Sequence, residues 1–244
     1  SSIKIALHRK MSRPTIIAAI MALSCIVSDA HLLRKDQVVL SVYYESYSPL
    51  SIKFLDEQLF GTWMIFNPFL TVDMVPFGNA KQSRQDGRFH FTCERGQKEC
   101  EASVLHACSI HEGCGGQTTK NCPPAEVTKV MMYIRCLVKH EDQHKSRLQC
   151  AKKAGLNAEA IDKCAEGKLG NELERQYGDE TAAFNDLSIN SVPIITINGK
   201  YNETEQVKAQ TLLLDLICDY LPENCPHGFA AGPRPRGPSR PSYA

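Results

Sequence analysis

The sequence holds 11 cysteines yet no Cys-x-x-Cys, because no two of them stand three residues apart. A thiol–disulfide enzyme attacks a disulfide with one thiolate, through a mixed disulfide, and the usual paired arrangement for that step is missing. Long apolar runs are scarce too. Thr15 to Val27 is 13 residues, short of the roughly 20 that a spanning helix needs, and no other run is long enough. An excess of charge of one sign is also lacking. The chain has 28 Lys and Arg against 27 Asp and Glu, which leaves no basic footprint for nucleic acid. Internal repetition is absent as well. Cys122, Cys136, Cys150 and Cys164 stand 14 apart, but their flanks (Pro-Pro-Ala, Leu-Val-Lys, Ala-Lys-Lys, Ala-Glu-Gly) share nothing, so the spacing reads as one staple per helix.

What is present begins with a leader. Met11 is the expected start, followed by Arg13, the apolar run and the small residues Ser28-Asp29-Ala30, which together read as a secretory signal with the mature chain beginning near His31. Residues 1–10 are then upstream sequence. The first 30 residues carry a net +3 and the rest a net −2. Cys25 leaves with the signal, and an even set remains: Cys93, Cys100, Cys108, Cys114, Cys122, Cys136, Cys150, Cys164, Cys218 and Cys225. Even counts on the secretory route imply disulfides. The short local loops favour Cys114–Cys122 and Cys218–Cys225, and the other pairings stay open. Asn202-Glu203-Thr204 is a glycosylation sequon.

Val38 to Tyr44 is β-branched and aromatic and reads as a buried strand. Ser48 is a good helix cap with Pro49 at the first helical position, and the helix should reach about Phe66 with Phe54, Leu55, Leu59 and Trp63 on one face. Leu70 to Val75 reads as a second strand and Phe89 to Thr92 as a short third. Helices are expected over Glu99–His111, Ala125–Lys139, Lys145–Ala154, Ala158–Ala165 and Asn171–Asn185, with a loop over Gly113–Pro124. Ile194 to Ile197 is a strand ending at Asn198-Gly199. Val207 to Leu221 is a closing helix whose apolar face holds Leu213, Leu216, Ile217, Tyr220 and Leu221. This order implies an α/β thioredoxin-like layer over residues 31–227, interrupted by a cysteine-rich, disulfide-stapled helical insert at about 93–168. The tail 228–244, with four prolines and three arginines, has no apolar pattern and should be disordered.

Cys93-Glu94-Arg95-Gly96-Gln97-Lys98-Glu99-Cys100, followed in register by Ser103 and Cys108, resembles the signature of the gamma-interferon-inducible lysosomal thiol reductase family, Cys-Gln-His-Gly-x-x-Glu-Cys-x-x-Asn-x-x-x-x-Cys. Cys93, Gly96, Glu99, Cys100 and Cys108 match, while Glu94, Arg95 and Ser103 depart. Tyr43-Tyr44-Glu45, the Val75–Ala80 segment and Val192–Gly199 extend the likeness from about Val38 to Cys225. The Cys114–Cys122 loop looks like an addition. The resemblance implies a thioredoxin-like fold that reduces protein disulfides in acidic endosomes and lysosomes. It also implies a cis-proline at Pro193 facing the active site, and a Cys-x-x-Cys where this chain has Ser48-Pro49-Leu50-Ser51. A serine hydroxyl is barely ionised at physiological pH and forms no disulfide.

His140-Glu141-Asp142-Gln143-His144 spells the zinc-protease motif His-Glu-x-x-His. It lacks a third ligand, and Lys139, Lys145 and Arg147 crowd it with positive charge, so a solvated helix surface explains it better and no metal is expected. Nothing asks for a cofactor. Ser48 or Ser51 as a hydrolytic nucleophile would need a positioned base, and no motif brings a histidine there. The resulting expectation is a secreted or lysosomal-lumen glycoprotein without redox chemistry that binds protein or peptide partners, with an active disulfide reductase as the alternative and a zinc hydrolase as a remote one.

Overall fold

A computed structural model describes residues 37–187 and 191–226. The expected signal, Cys25 and the tail from Gly228 lie outside the described residues. β1 (Val38–Tyr44) is buried almost without interruption, as a strand covered on both faces must be. It runs parallel to β2 (Leu70–Pro76), in register from Val38 opposite Leu70 to Tyr44 opposite Pro76. The connection is a helical rod in three pieces: α1 (Pro49–Lys53), a π-helical stretch at Phe54–Leu59, and α2 (Phe60–Phe66). Phe54, Leu55, Leu59 and Trp63 are all buried, the face that the apolar spacing marked.

β5 (Ile194–Ile197) lies antiparallel on the other side of β1, Tyr43 opposite Ile194 and Leu40 opposite Ile197. It turns back into β6 (Lys200–Tyr201) through Asn198 and Gly199, both at positive φ (52° and 73°), the conformation that Asn-Gly hairpins need. The closing helix α8 (Glu203–Tyr220) begins four residues earlier than expected and kinks at Leu212. The Leu213 N–H beyond the kink donates to Gln58 Oε1 at 3.2 Å. Leu213, Leu216 and Ile217 are buried, but Tyr220 stands at the surface and donates its hydroxyl to Glu205. The sheet order β2-β1-β5-β6, parallel strand–helix–strand followed by antiparallel strand–strand–helix, is the thioredoxin-like arrangement.

The insert between β2 and β5 takes up residues 77–193, longer at both ends than the expected 93–168. It opens with a hairpin of β3 (Lys81–Gln85) and β4 (Arg88–Thr92) joined by Asp86-Gly87, both at positive φ. β3 reads Lys-Gln-Ser-Arg-Gln and gives no apolar signal. The tight Asp-Gly turn sets its pairing. The helices follow: α3 (Gln97–Gly113), α4 (Pro124–Leu137), α5 (Gln143–Ala154), α6 (Ala158–Glu166) and α7 (Lys168–Thr181). The expected loop after Gly113 contains a 3-10 turn at Thr119–Asn121, and Thr119 Oγ1 accepts the Met74 N–H at 2.8 Å, fixing the loop to β2.

Among the described residues five disulfides close: Cys93–Cys100, Cys108–Cys164, Cys114–Cys122, Cys136–Cys150 and Cys218–Cys225. Cys108–Cys164 joins α3 to α6 and Cys136–Cys150 joins α4 to α5. No helix among the described residues is long and apolar enough to cross a membrane.

Candidate functional site

β1 delivers the chain into the loop Glu45–Tyr47, and the loop delivers Ser48 to the start of α1. Ser48 has extended φ/ψ (−66°, 124°), its Oγ accepts the Ser51 N–H, and Pro49 occupies the first turn. That hydrogen bond is long, 3.5 Å. Ser51 Oγ in turn accepts the Glu45 N–H at 3.4 Å. Both serines are almost completely buried, while Leu50 between them is 54% exposed. Neither hydroxyl has a base as a partner among the described residues, so nothing here activates a serine nucleophile.

Pro193 lies directly before β5, and the Val192–Pro193 peptide is cis. Because Tyr43 pairs with Ile194, Pro193 sits at the same end of the sheet as the loop leading to Ser48. Gln206 of α8 fixes it there. Its Nε2 donates to Pro193 O at 2.7 Å and its Oε1 accepts the Ile195 N–H at 2.8 Å. The residue signature had not marked Gln206; a buried amide one helix away leaves no local sequence pattern.

Glu45 builds the charged side of the site. Its carboxylate is buried, accepts the Asn79 N–H at 3.0 Å, and pairs with the guanidinium of Arg95, which also reaches Glu99 at 3.3 Å. Burial pushes the Glu45 carboxyl above the usual carboxylate range, against the pull of the Asn79 N–H and Arg95. Gly78 has φ +59°, and a Cβ there would come within 2.3 Å of Glu45 Cγ, so only glycine lets the two segments meet.

The signature segment now has a physical account. Cys93 and Cys100 bond to each other, Gly96 takes φ 81° to start α3, Glu99 reaches back to the Arg95 N–H at 2.9 Å, and Cys108 bonds to Cys164. Two of its departures face the serine loop. Arg95 meets Glu45, and Ser103 Oγ lies 3.3 Å from Ser46 Oγ.

Beneath the loop runs a buried network. His106 of α3 lies between Tyr44 (hydroxyl to Nδ1, 3.2 Å) and Gln143 (Nε2 to Oε1, 3.0 Å), and Gln143 Nε2 donates to Ser46 O at 2.7 Å. Since Gln143 presents its oxygen, Nε2 of the neutral ring carries the proton and Nδ1 accepts from Tyr44. Burial pushes His106 down to about 4. Glu174, fully buried on α7, is held well above the carboxylate range by burial.

The zinc reading fails on geometry. α5 starts only at Gln143, so His140 stands in the turn before the helix and the pair does not share a helix face. The two histidines line different clefts, His144 one of about 420 Å³ beside Cys100 and His140 one of about 530 Å³ beside Cys136. His140 does come within 4.8 Å of both Cys136 and Cys150 sulfurs, but those sulfurs are bonded to each other at 2.05 Å and offer no thiolate.

Comparison with known proteins agrees with the signature. GILT-like protein 1 of Drosophila melanogaster is 30% identical over 94% of this chain and 91% of its own length. The chain belongs to the GILT family. The model of that family, gamma interferon inducible lysosomal thiol reductase, matches residues 39–154 of this GILT chain. The gamma-interferon-inducible lysosomal thiol reductase of Mus musculus is 26% identical over 80% of this chain and 72% of its own. Among solved structures, Chlamydia trachomatis DsbA overlays with a TM-score of 0.46 at 13% identity, covering 75% of this chain and 86% of that one.

Proposed function

We propose that this GILT-family chain has given up disulfide reduction and works as a lumenal or secreted glycoprotein that binds protein or peptide partners. The observation that carries the reading is Ser48-x-x-Ser51 at the N-terminus of α1, at the sheet end that also holds cis-Pro193. In a thiol reductase that helix start would hold the attacking thiolate, stabilised by the macrodipole and free N–H groups. Here the hydroxyls serve the backbone instead. All ten cysteines of the described residues are in disulfides, so no free thiol stands in for the lost pair. The departures Arg95 and Ser103 contact the same loop, as expected if the loop and its supports changed together. Leu50, exposed beside the buried serines, offers an apolar contact for an extended partner. Asn202 carries the expected glycan, and the lumenal placement rests on the leader and on the family.

Insulin reduction by purified protein tests this. The unmodified chain should show no turnover above the free-reductant rate. Ser48→Cys with Ser51→Cys should gain turnover, because the helix start and cis-Pro193 remain, and Ser51→Cys alone should not. Turnover by the unmodified chain would restore the reductase reading.

A further inference from the structure

We infer that Cys136–Cys150 is an exchange site for anionic low-molecular-weight thiols, separate from the serine loop. The bond joins α4 to α5 at the wall of an open cleft of about 530 Å³. Cys136 is partly exposed and lines that cleft, whereas Cys150 is fully buried. An incoming thiol therefore reaches Cys136 Sγ. A ring nitrogen of His140 lies within 4.8 Å of both sulfurs, and among the described residues no other disulfide has a histidine or carboxylate in such a cluster. Arg135, Lys139 and Lys153 line the same cleft. Arg135 and Lys139 share one carboxylate, Asp56, at 2.5 and 2.8 Å, and Lys153 has no ion pair among the described residues. Three cations against one carboxylate leave the mouth positive, which favours an anionic visitor and the thiolate form of its sulfur.

The chemistry balances without any group beyond the thiol. The incoming RSH gives its proton to the His140 imidazole, and its sulfur attacks Cys136 Sγ. The RS–Sγ bond to Cys136 forms, the Cys136–Cys150 bond breaks, and the electron pair passes to Cys150 Sγ. His140 returns the proton there, so the buried sulfur ends as a neutral thiol rather than a desolvated thiolate. A second RSH releases RSSR and leaves two thiols, the protein disulfide being reduced and two small thiols oxidised. The ligand class is a thiol bearing carboxylates, such as glutathione. The site is stoichiometric and therefore consistent with the absence of turnover at Ser48 and Ser51, and its failure would leave that reading untouched.

The test exposes the folded full chain to limiting glutathione, quenches with an alkylating agent and maps each cysteine by mass spectrometry. Glutathione on Cys136 with alkylated Cys150 should appear first, before any change at the other four disulfides. His140→Gln should slow the reaction about tenfold or more while the melting temperature of the oxidised protein is unchanged. Lys153→Glu should slow glutathione but not cysteamine, a cationic thiol of similar reactivity. The inference is overturned if another disulfide opens first, if all open together, if the adduct sits on Cys150, or if the His140→Gln protein reacts at the original rate.

Discussion

The sheet layer and the helical insert are held together by different means. β1, β2 and β5 bury Leu40, Val42, Val72, Val75 and Ile194 to 3% exposure or less, and no disulfide joins them. The insert carries four of the five cross-links. Its helix α5 buries only Gln143, Cys150, Ala151 and Ala154, and α6 only Ile161 and Cys164. Ile161 is the one large aliphatic side chain in that set, so these two helices remove little apolar area from water. Cross-links, which restrict the unfolded chain, supply what the apolar faces of these two helices do not. The lesson is that Cys150 and Cys164 stand on helices with thin apolar faces and are tied to Cys136 and Cys108 on α4 and α3, which bury large side chains such as Tyr133, Ile134, Leu105 and Ile110.

The largest effect should come from breaking that arrangement where it spans the longest loop. Cys108 and Cys164 are 56 residues apart, so replacing both with alanine should cost about 4 kcal/mol by loop entropy, read from urea unfolding. Hydrogen exchange should then show α3 and α6 opening while amides of β1 and β2 stay protected. Equal loss of protection in β1 would mean that the two regions are one cooperative unit and the contrast is false.

His106 sharpens the comparison, since it ties β1 (through Tyr44) to α5 (through Gln143). Its folded value of about 4 lies below the ordinary 6.5. The unfolded chain therefore takes up this proton as pH falls through about 6.5 and the folded chain does not. The contribution is complete above 6.5 and is lost as pH falls toward 4, by about 3 kcal/mol. Buried Glu174 and Asp73, both raised by burial, act in the opposite direction, stabilising at low pH. The clean measurement is the difference between the chain and its His106→Gln variant, in denaturant titrations at pH 7 and pH 4. The gap between them should narrow by that amount. A constant gap would show that His106 titrates normally.

Much of this layout was legible in the residues. Apolar runs located β1, β2 and β5, and cap and proline placed α1. The order of elements anticipated a thioredoxin-like layer interrupted by a stapled helical insert, and the family signature agreed with it. What was not legible depended on distant pairing. β3 has no apolar residue to betray it, although Asp86-Gly87 was a readable hairpin turn. The Glu45–Arg95–Glu99 cluster joins residues 50 positions apart, and Gln206 and His106 are single polar residues on helices. A buried hydrogen bond between such residues leaves no periodicity. The His-Glu-x-x-His spelling, already set aside for want of a third ligand, fails for the reverse reason, since a spacing is a geometry only if the helix covers it, and α5 begins after His140.

The smallest effect concerns the sheet layer's own edge, at α8. Asn202 is its N-cap, with Oδ1 accepting the Glu205 N–H at 3.1 Å. The side chain is exposed, and the cap uses only the oxygen, leaving Nδ2 for a glycan. The two roles can therefore be separated. Asn202→Ala should remove both cap and sugar and cost about 1 kcal/mol. Asn202→Asp should lose the sugar but keep the cap, because aspartate accepts the same N–H and its charge suits a helix N-terminus. Thr204→Ala removes the sequon and leaves Asn202 in place, so it isolates the glycan. Glycosidase treatment of protein from a secreting host should shift the mass of the unmodified chain alone, and thermal unfolding should single out Asn202→Ala. If Thr204→Ala were as unstable as Asn202→Ala, the sugar and not the cap would be holding the start of α8.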